Sequence, residues 1–164
     1  MTNADLPARI FVHGLESSGQ GTKATLLRTI YPDILTPDFV GPLEERMSSL
    51  APILAQGSAW IIVGSSFGGL MAALWTCSHP DRVRKLVLLA PALHHPAFAQ
   101  SPPPAVDVPT VLFHGSRDDI VPLETVRALA TATFRNLSHY VVDDEHALRK
   151  TAAGLDWRAL LAGA

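Results

Sequence analysis

The sequence predicts an α/β fold: one doubly wound, mostly parallel sheet of about six strands with helices on both faces. Three observations carry that expectation. Short apolar, β-rich runs alternate with stretches of helical spacing along the whole chain, at intervals suited to crossover connections. The centre, Ala59 to Leu74 (AWIIVGSSFGGLMAAL), passes from a continuous apolar run through a turn of small residues into helix-forming sequence. Composition is that of a core-forming protein, 48% hydrophobic and 17% charged, and a length of 164 residues suits a single domain spanning 1–164.

The elements follow in order. Arg9 to His13 (RIFVH) reads as the first strand and ends at Gly14, and Leu15 to Gly21 is loop chemistry. Thr22 to Tyr31 is helical and stops before Pro32, and Ile34 to Thr36 is a short strand candidate. Leu43 to Gln56 places Leu43, Met47, Leu50, Ile53 and Leu54 at helical spacing. Trp60 to Val63 is a strand buried on both faces, and helix is expected from Leu70 until Pro80. Val83 to Leu89 and Thr110 to His114 are strands, Leu123 to Thr131 a helix, Ser138 to Val142 a strand, and Thr151 to Ala162 a closing helix. Pro91 to Pro109, containing Pro102-Pro103-Pro104, reads as a stiff connection that cannot be helical through its prolines. It is also a candidate wall for a site, or a polyproline ligand for a partner.

Composition excludes several classes. Net charge is −2 with no cluster of Lys or Arg, so neither nucleic acid nor an anionic membrane is an expected partner. The N-terminal MTNADLPARI has neither a basic start nor an apolar core, and no apolar run reaches the roughly 18 residues of a membrane span. The single cysteine, Cys77, permits no internal disulfide and reads as a small buried hydrophobe, so a cytoplasmic location is expected. Seven histidines occur without zinc-ligand spacing, so no metal and no cofactor are expected.

Ligand sites in such sheets lie beyond the carboxyl ends of the strands, which selects the loops after His13, Val63, Leu89, His114 and Val142. The second of these reads Gly64-Ser65-Ser66-Phe67-Gly68, a G-x-S-x-G turn that presents a serine on a strained backbone between strand and helix. Side chains at Gly64 and Gly68 would collide where strand and helix pass closely. A serine hydroxyl needs a base, and the base needs an acid to fix its tautomer. The loop after His114 offers Asp118 and Asp119, and the loop after Val142 offers Asp143, Asp144, Glu145 and His146. The order is Ser, Asp, His.

Taken together, Phe11-Val12-His13-Gly14, Gly64 to Gly69, His114 to Pro122 and Asp144-Glu145-His146 resemble the α/β-hydrolase superfamily over nearly the whole chain. Within it the chain is similar to small serine esterases without a cap domain. The resemblance implies a minimal α/β-hydrolase fold, lacking the two leading strands and the helical cap of larger relatives. It implies Ser66 as nucleophile, His146 as general base and Asp118 as orienting acid, preferred over Asp119 by its distance from His-Gly. It also implies the backbone amides of Leu15 and Phe67 as the oxyanion hole, with His13 shaping the turn. His13, Leu93, His94, Phe98 and Ile120 are the candidate substrate-contacting residues, and Asp143 to Glu145 read as an exposed acidic turn. The implied activity is hydrolysis of small-molecule carboxylic esters with short acyl groups through an acyl-serine, by a monomer or homodimer. Thioesters or amides on the same residues, or a ligand-binding protein with the same fold, are the alternatives.

Overall fold

A computed structural model describes residues 7–163, so the expectation drawn from the first six residues lies outside the described part. Five strands form one parallel sheet in the order β1-β2-β3-β4-β5: β1 Ala8–Val12, β2 Trp60–Ser65, β3 Val83–Leu89, β4 Thr110–Gly115 and β5 Leu137–Val142. The sixth expected strand, at Ile34 to Thr36, is reduced to a single parallel bridge between Leu35 and Ile10. Two backbone bonds hold it: Phe11 N–H to Leu35 O at 2.8 Å and Leu35 N–H to Arg9 O at 2.9 Å. Between Pro32 and Pro37 the run is too short to extend that pairing.

Strand alternation sorts the core into two layers. Ile10, Val12, Trp60, Ile62, Leu86, Leu88 and Leu112 point to one face, under α2 (Leu43–Leu54), α3 (Phe67–Ser78) and α5 (Leu123–Thr133). Phe11, Ile61, Val63, Val87, Leu89 and Phe113 point to the other, under α1 (Thr22–Ile30), α6 (Arg149–Gly154) and α7 (Trp157–Leu160). Both faces of β2 and of the Leu86 to Leu89 part of β3 are covered, which is why Trp60 to Val63 and Leu86 to Leu89 are continuous apolar runs rather than alternating ones. Each large aliphatic side chain so buried contributes about 1.5–3 kcal/mol.

Three elements differ from the sequence reading. Helix α3 begins directly after Ser66, not at Leu70, because Gly68 and Gly69 are needed for close packing and are carried inside the first turn. The closing helix is broken into α6 and α7, where Asp156 caps the second piece by accepting from Ala159 N–H at 3.0 Å. The Pro91 to Pro109 connection contains a short helix, α4 (Pro96–Ala99), with Pro96 in the first turn, where a missing N–H costs nothing, and His95 Nδ1 accepting from Ala97 N–H at 3.1 Å.

Cys77 is half-buried against the core, and burial pushes its thiol up to about 12. Among the described residues no helix is long and apolar enough to cross a membrane.

Candidate active site

The turn after β2 holds one of three non-glycine residues with positive φ among the described residues. Ser66 has φ 55° and ψ −117°, a conformation L side chains rarely adopt. Its N–H donates to Leu89 O at 2.9 Å, and its carbonyl accepts from Gly69, Leu70 and Ala92 at 2.9–3.2 Å. These bonds anchor the turn to the end of β3 and to α3 together. The expected role of the flanking glycines is met: a Cβ on Gly68 would lie 2.0 Å from Val12 O, and one on Gly64 2.6 Å from Gly68 O. Both obstacles are backbone, so neither position can take a side chain without moving a strand or the helix.

Ser66 Oγ lies 2.9 Å from His146 Nε2, and His146 Nδ1 lies 2.8 Å from Asp118 Oδ2. The three side chains come from the ends of β2, β4 and β5, as the carboxyl-end rule anticipates. Asp118 Oδ1 accepts from the backbone N–H groups of Ile120 and Val121, both at 2.9 Å. Burial alone would raise the Asp118 carboxyl, but these amides and His146 outweigh it and hold the group below its ordinary value. Asp118 is therefore ionised at neutral pH. Asp119, the other acid on this loop, is exposed.

The loop carrying His146 is pinned from several sides. Asp144, expected in an exposed acidic turn, is instead buried: Oδ2 accepts from Thr151 N–H and Thr151 Oγ–H, both at 2.8 Å, and Oδ1 from Glu145 N–H at 2.8 Å. These bonds hold its carboxyl below the usual range against the opposing effect of burial. Lys23 Nζ, from α1, donates to Ala147 O. Asp143 and Glu145 are exposed, as expected, and face Arg117 at 2.9 and 3.3 Å. At Gly115 a Cβ would lie 2.4 Å from Asp144 O, so the loop lies directly against the end of β4.

The substrate-contacting candidates divide. His94 and Ile120 are exposed beside the site, and charges on Asp118 and His146 reach His94, whose imidazole burial and neighbouring His95 push below its ordinary value. Leu93 and Phe98 are 0% exposed inside the core layer under α2 and α3, so they support the wall instead of facing a ligand. His13 is 1% exposed, with Nδ1 donating to Gly14 O at 2.7 Å and Nε2 accepting from Phe39 N–H at 2.9 Å. It clamps two loops and is closed to ligand. Leu15 is exposed, and Gly14 runs beside the Ser66 turn, its Cβ direction 3.8 Å from Phe67 N. The Phe67 ring lies against His95, with centroids 5.7 Å apart, and against the Arg46 guanidinium at 5.5 Å.

A family model described as alpha/beta hydrolase fold matches residues 53–105, from the end of α2 through the Ser66 turn into the proline-rich connection. The fold matches solved structures over about nine-tenths of the chain or more. The chain is an α/β-hydrolase-fold protein. Alpha/beta hydrolase domain-containing protein 10 from mouse superimposes with a TM-score of 0.77 at 19% identity, over 89% of this chain and 84% of that one. An α/β-superfamily protein from Xanthomonas campestris pv. campestris gives 0.73 at 27% identity over 90% and 91%. Est1E from Butyrivibrio proteoclasticus, solved with ferulic acid bound, gives 0.76 at 15% identity over 97% and 90%. No curated protein is a significant sequence match. Within this α/β-hydrolase fold, the five-stranded sheet is a minimal version.

Proposed function

We propose that this α/β-hydrolase-fold protein is a serine hydrolase that cleaves small carboxylic esters. The observation that carries the reading is the relay from Ser66 Oγ to His146 Nε2 at 2.9 Å and from His146 Nδ1 to Asp118 Oδ2 at 2.8 Å, with the serine on a strained turn. Ser66 Oγ attacks the acyl carbon as its proton passes to His146 Nε2. Asp118, ionised, holds the imidazole with Nδ1–H toward itself and stabilises the imidazolium. The amides of Phe67 and Leu15 receive the developing oxyanion, each worth about 3–4 kcal/mol to the transition state. Collapse breaks the ester C–O bond, and His146 returns its proton to the departing alkoxide. Water, activated by the same imidazole, then attacks the acyl-serine and releases the acid and the free hydroxyl.

Oxygen esters are the proposed substrates because a protein similar in fold over 94% of this chain is named an esterase, from Pyrococcus furiosus, and Est1E binds ferulic acid. Exposed His94 and Ile120 flank a site without a cap, which favours short or extended acyl groups over long enclosed ones.

The test is mass spectrometry after treatment with a fluorophosphonate probe, beside Ser66→Ala and His146→Ala, followed by rates on matched oxygen esters, thioesters and amides. One adduct on Ser66, slowed by His146→Ala, with esters turned over fastest, is the expected result. A folded protein that forms no adduct refutes the reading, and preference for thioesters or amides refutes its substrate class.

A further inference from the structure

We propose that His114 is a positioning residue for the relay: its Nε2–H shares Asp118 Oδ2 with the His146 ring, fixing the carboxylate and dispersing its charge. The role rests on the serine hydrolase reading of the site.

His114 ends β4, four residues before Asp118, and both side chains are fully inaccessible. Its Nε2 lies 3.2 Å from Asp118 Oδ2 and 3.1 Å from Val121 O. Both neighbours are acceptors, the carboxylate because Asp118 is ionised, so Nε2 must carry a proton. Nδ1 is buried and has no partner among the described residues. A second proton there would be an unsatisfied buried donor on a buried cation, which burial opposes. The ring is therefore neutral, with its proton on Nε2.

Asp118 Oδ1 takes the Ile120 and Val121 amides and Oδ2 takes His146 Nδ1, while His114 Nε2–H, bonded to Val121 O, brings its positive end to 3.2 Å from Oδ2. The amides alone fix one oxygen. With His114 the second oxygen is held from the strand side, so the carboxylate plane is set before substrate arrives. The nearby Nε2–H also leaves less of the Asp118 charge facing the His146 ring. The other groups facing this pair are His94, from the loop after β3, and His139 on β5, with Arg127 and Glu124 of α5 beyond it. None of these contacts Asp118 among the described hydrogen bonds and ion pairs.

The test compares His114→Gln with His114→Met. Both are unbranched and reach the position of Nε2, but only Gln keeps a donor there. Expected for Met is a fall in kcat of about tenfold with KM little changed, and an acid limb of the pH–rate profile moved to higher pH by about half a unit or more. Gln restores the limb to its wild-type position. The same displacement is read without turnover from the His146 imidazole signals in NMR titrations, and ¹⁵N shifts of the wild-type protein report the His114 tautomer. Identical titrations for Gln and Met, or a His114 ring protonated on Nδ1, overturn the proposal. A wild-type protein whose Ser66 takes no fluorophosphonate counts against the hydrolase reading alone, because both NMR readouts remain decisive for His114.

Discussion

Replacing Ser66 by glycine should make the protein more stable than replacing it by alanine, the reverse of the usual order. Both substitutions remove the hydroxyl and its 2.9 Å bond to His146, so their difference isolates the backbone. At φ 55° and ψ −117° a residue with a Cβ is strained by about 1–3 kcal/mol, and glycine is not. Against this, glycine gives up about 0.5–1 kcal/mol more conformational entropy on folding. The balance favours glycine by about 1 kcal/mol, or about 2–4 °C in Tm for a chain of this size. Urea denaturation of the two variants, with equal m values, measures it directly. An alanine variant as stable as the glycine variant would show that the turn stores no strain, and the argument for a backbone held in place by the fold would fail. The comparison needs no substrate, so it tests the geometry of the turn independently of any activity.

Asp118→Asn should preserve the fold yet lower kcat/KM by roughly four orders of magnitude, because the amide no longer selects the His146 tautomer; steady-state kinetics beside a thermal melt checks both halves. Asp144→Ala removes three acceptor contacts at once and should cost about 2–3 kcal/mol, with a fall in kcat as the His146 loop loosens, measured by urea denaturation and turnover. For pH, His114 and His139 are both pushed below their ordinary value, mainly by burial. The unfolded chain therefore binds more protons, so their contribution is full above about pH 6.5 and declines as pH falls below it. Asp118 and Asp144, also depressed, add a further loss below about pH 4. Denaturation midpoints from pH 7.5 to 5 should fall, and His114→Gln should flatten that slope; an unchanged slope would remove His114 as a contributor.

The parts legible in the sequence are those where local chemistry leaves few options. Gly64 and Gly68 could be assigned before any coordinates because a strand-to-helix turn of that length forces backbone to within 2.0–2.6 Å of where a Cβ would stand. Strand β2 and the Leu86 to Leu89 half of β3 were equally plain, since burial on both faces leaves only apolar residues there apart from the turn at the end of β2. Asp118 is preferred over Asp119 only through the family resemblance, and in the structure it is Asp118 that accepts the two backbone amides of Ile120 and Val121. Failures occur where the deciding partner is distant in sequence. Asp144 looks like a member of an acidic turn, yet its oxygens are claimed by Thr151, seven residues on, beyond the reach of the local capping patterns that mark a helix start.

The misplacement of Leu93 and Phe98 has a related cause, and it bears on what the site can bind. Both lie in the connection after β3, the segment expected as a candidate wall for the site. The segment instead turns twice: Leu93 N–H closes on Pro91 O at 2.8 Å, and Pro96 then starts α4, carrying Phe98 down into the core. Leu93 and Phe98 of this stretch complete the core layer under α2 and α3, leaving His94 exposed and His95 half-buried against Phe67. A connection that extends the core cannot also supply an apolar ceiling. On the proposed reading, selectivity falls to the exposed side chains of Leu15, His94 and Ile120. Truncating Ile120 to alanine should accordingly change relative rates across a series of acyl chain lengths by a few-fold, while truncating Leu93 to alanine should lower stability by about 2–5 kcal/mol and leave that ratio unchanged. A shift in chain-length preference from Leu93→Ala, and none from Ile120→Ala, would mean that the core opens to admit substrate and that the rim is not what the acyl group meets.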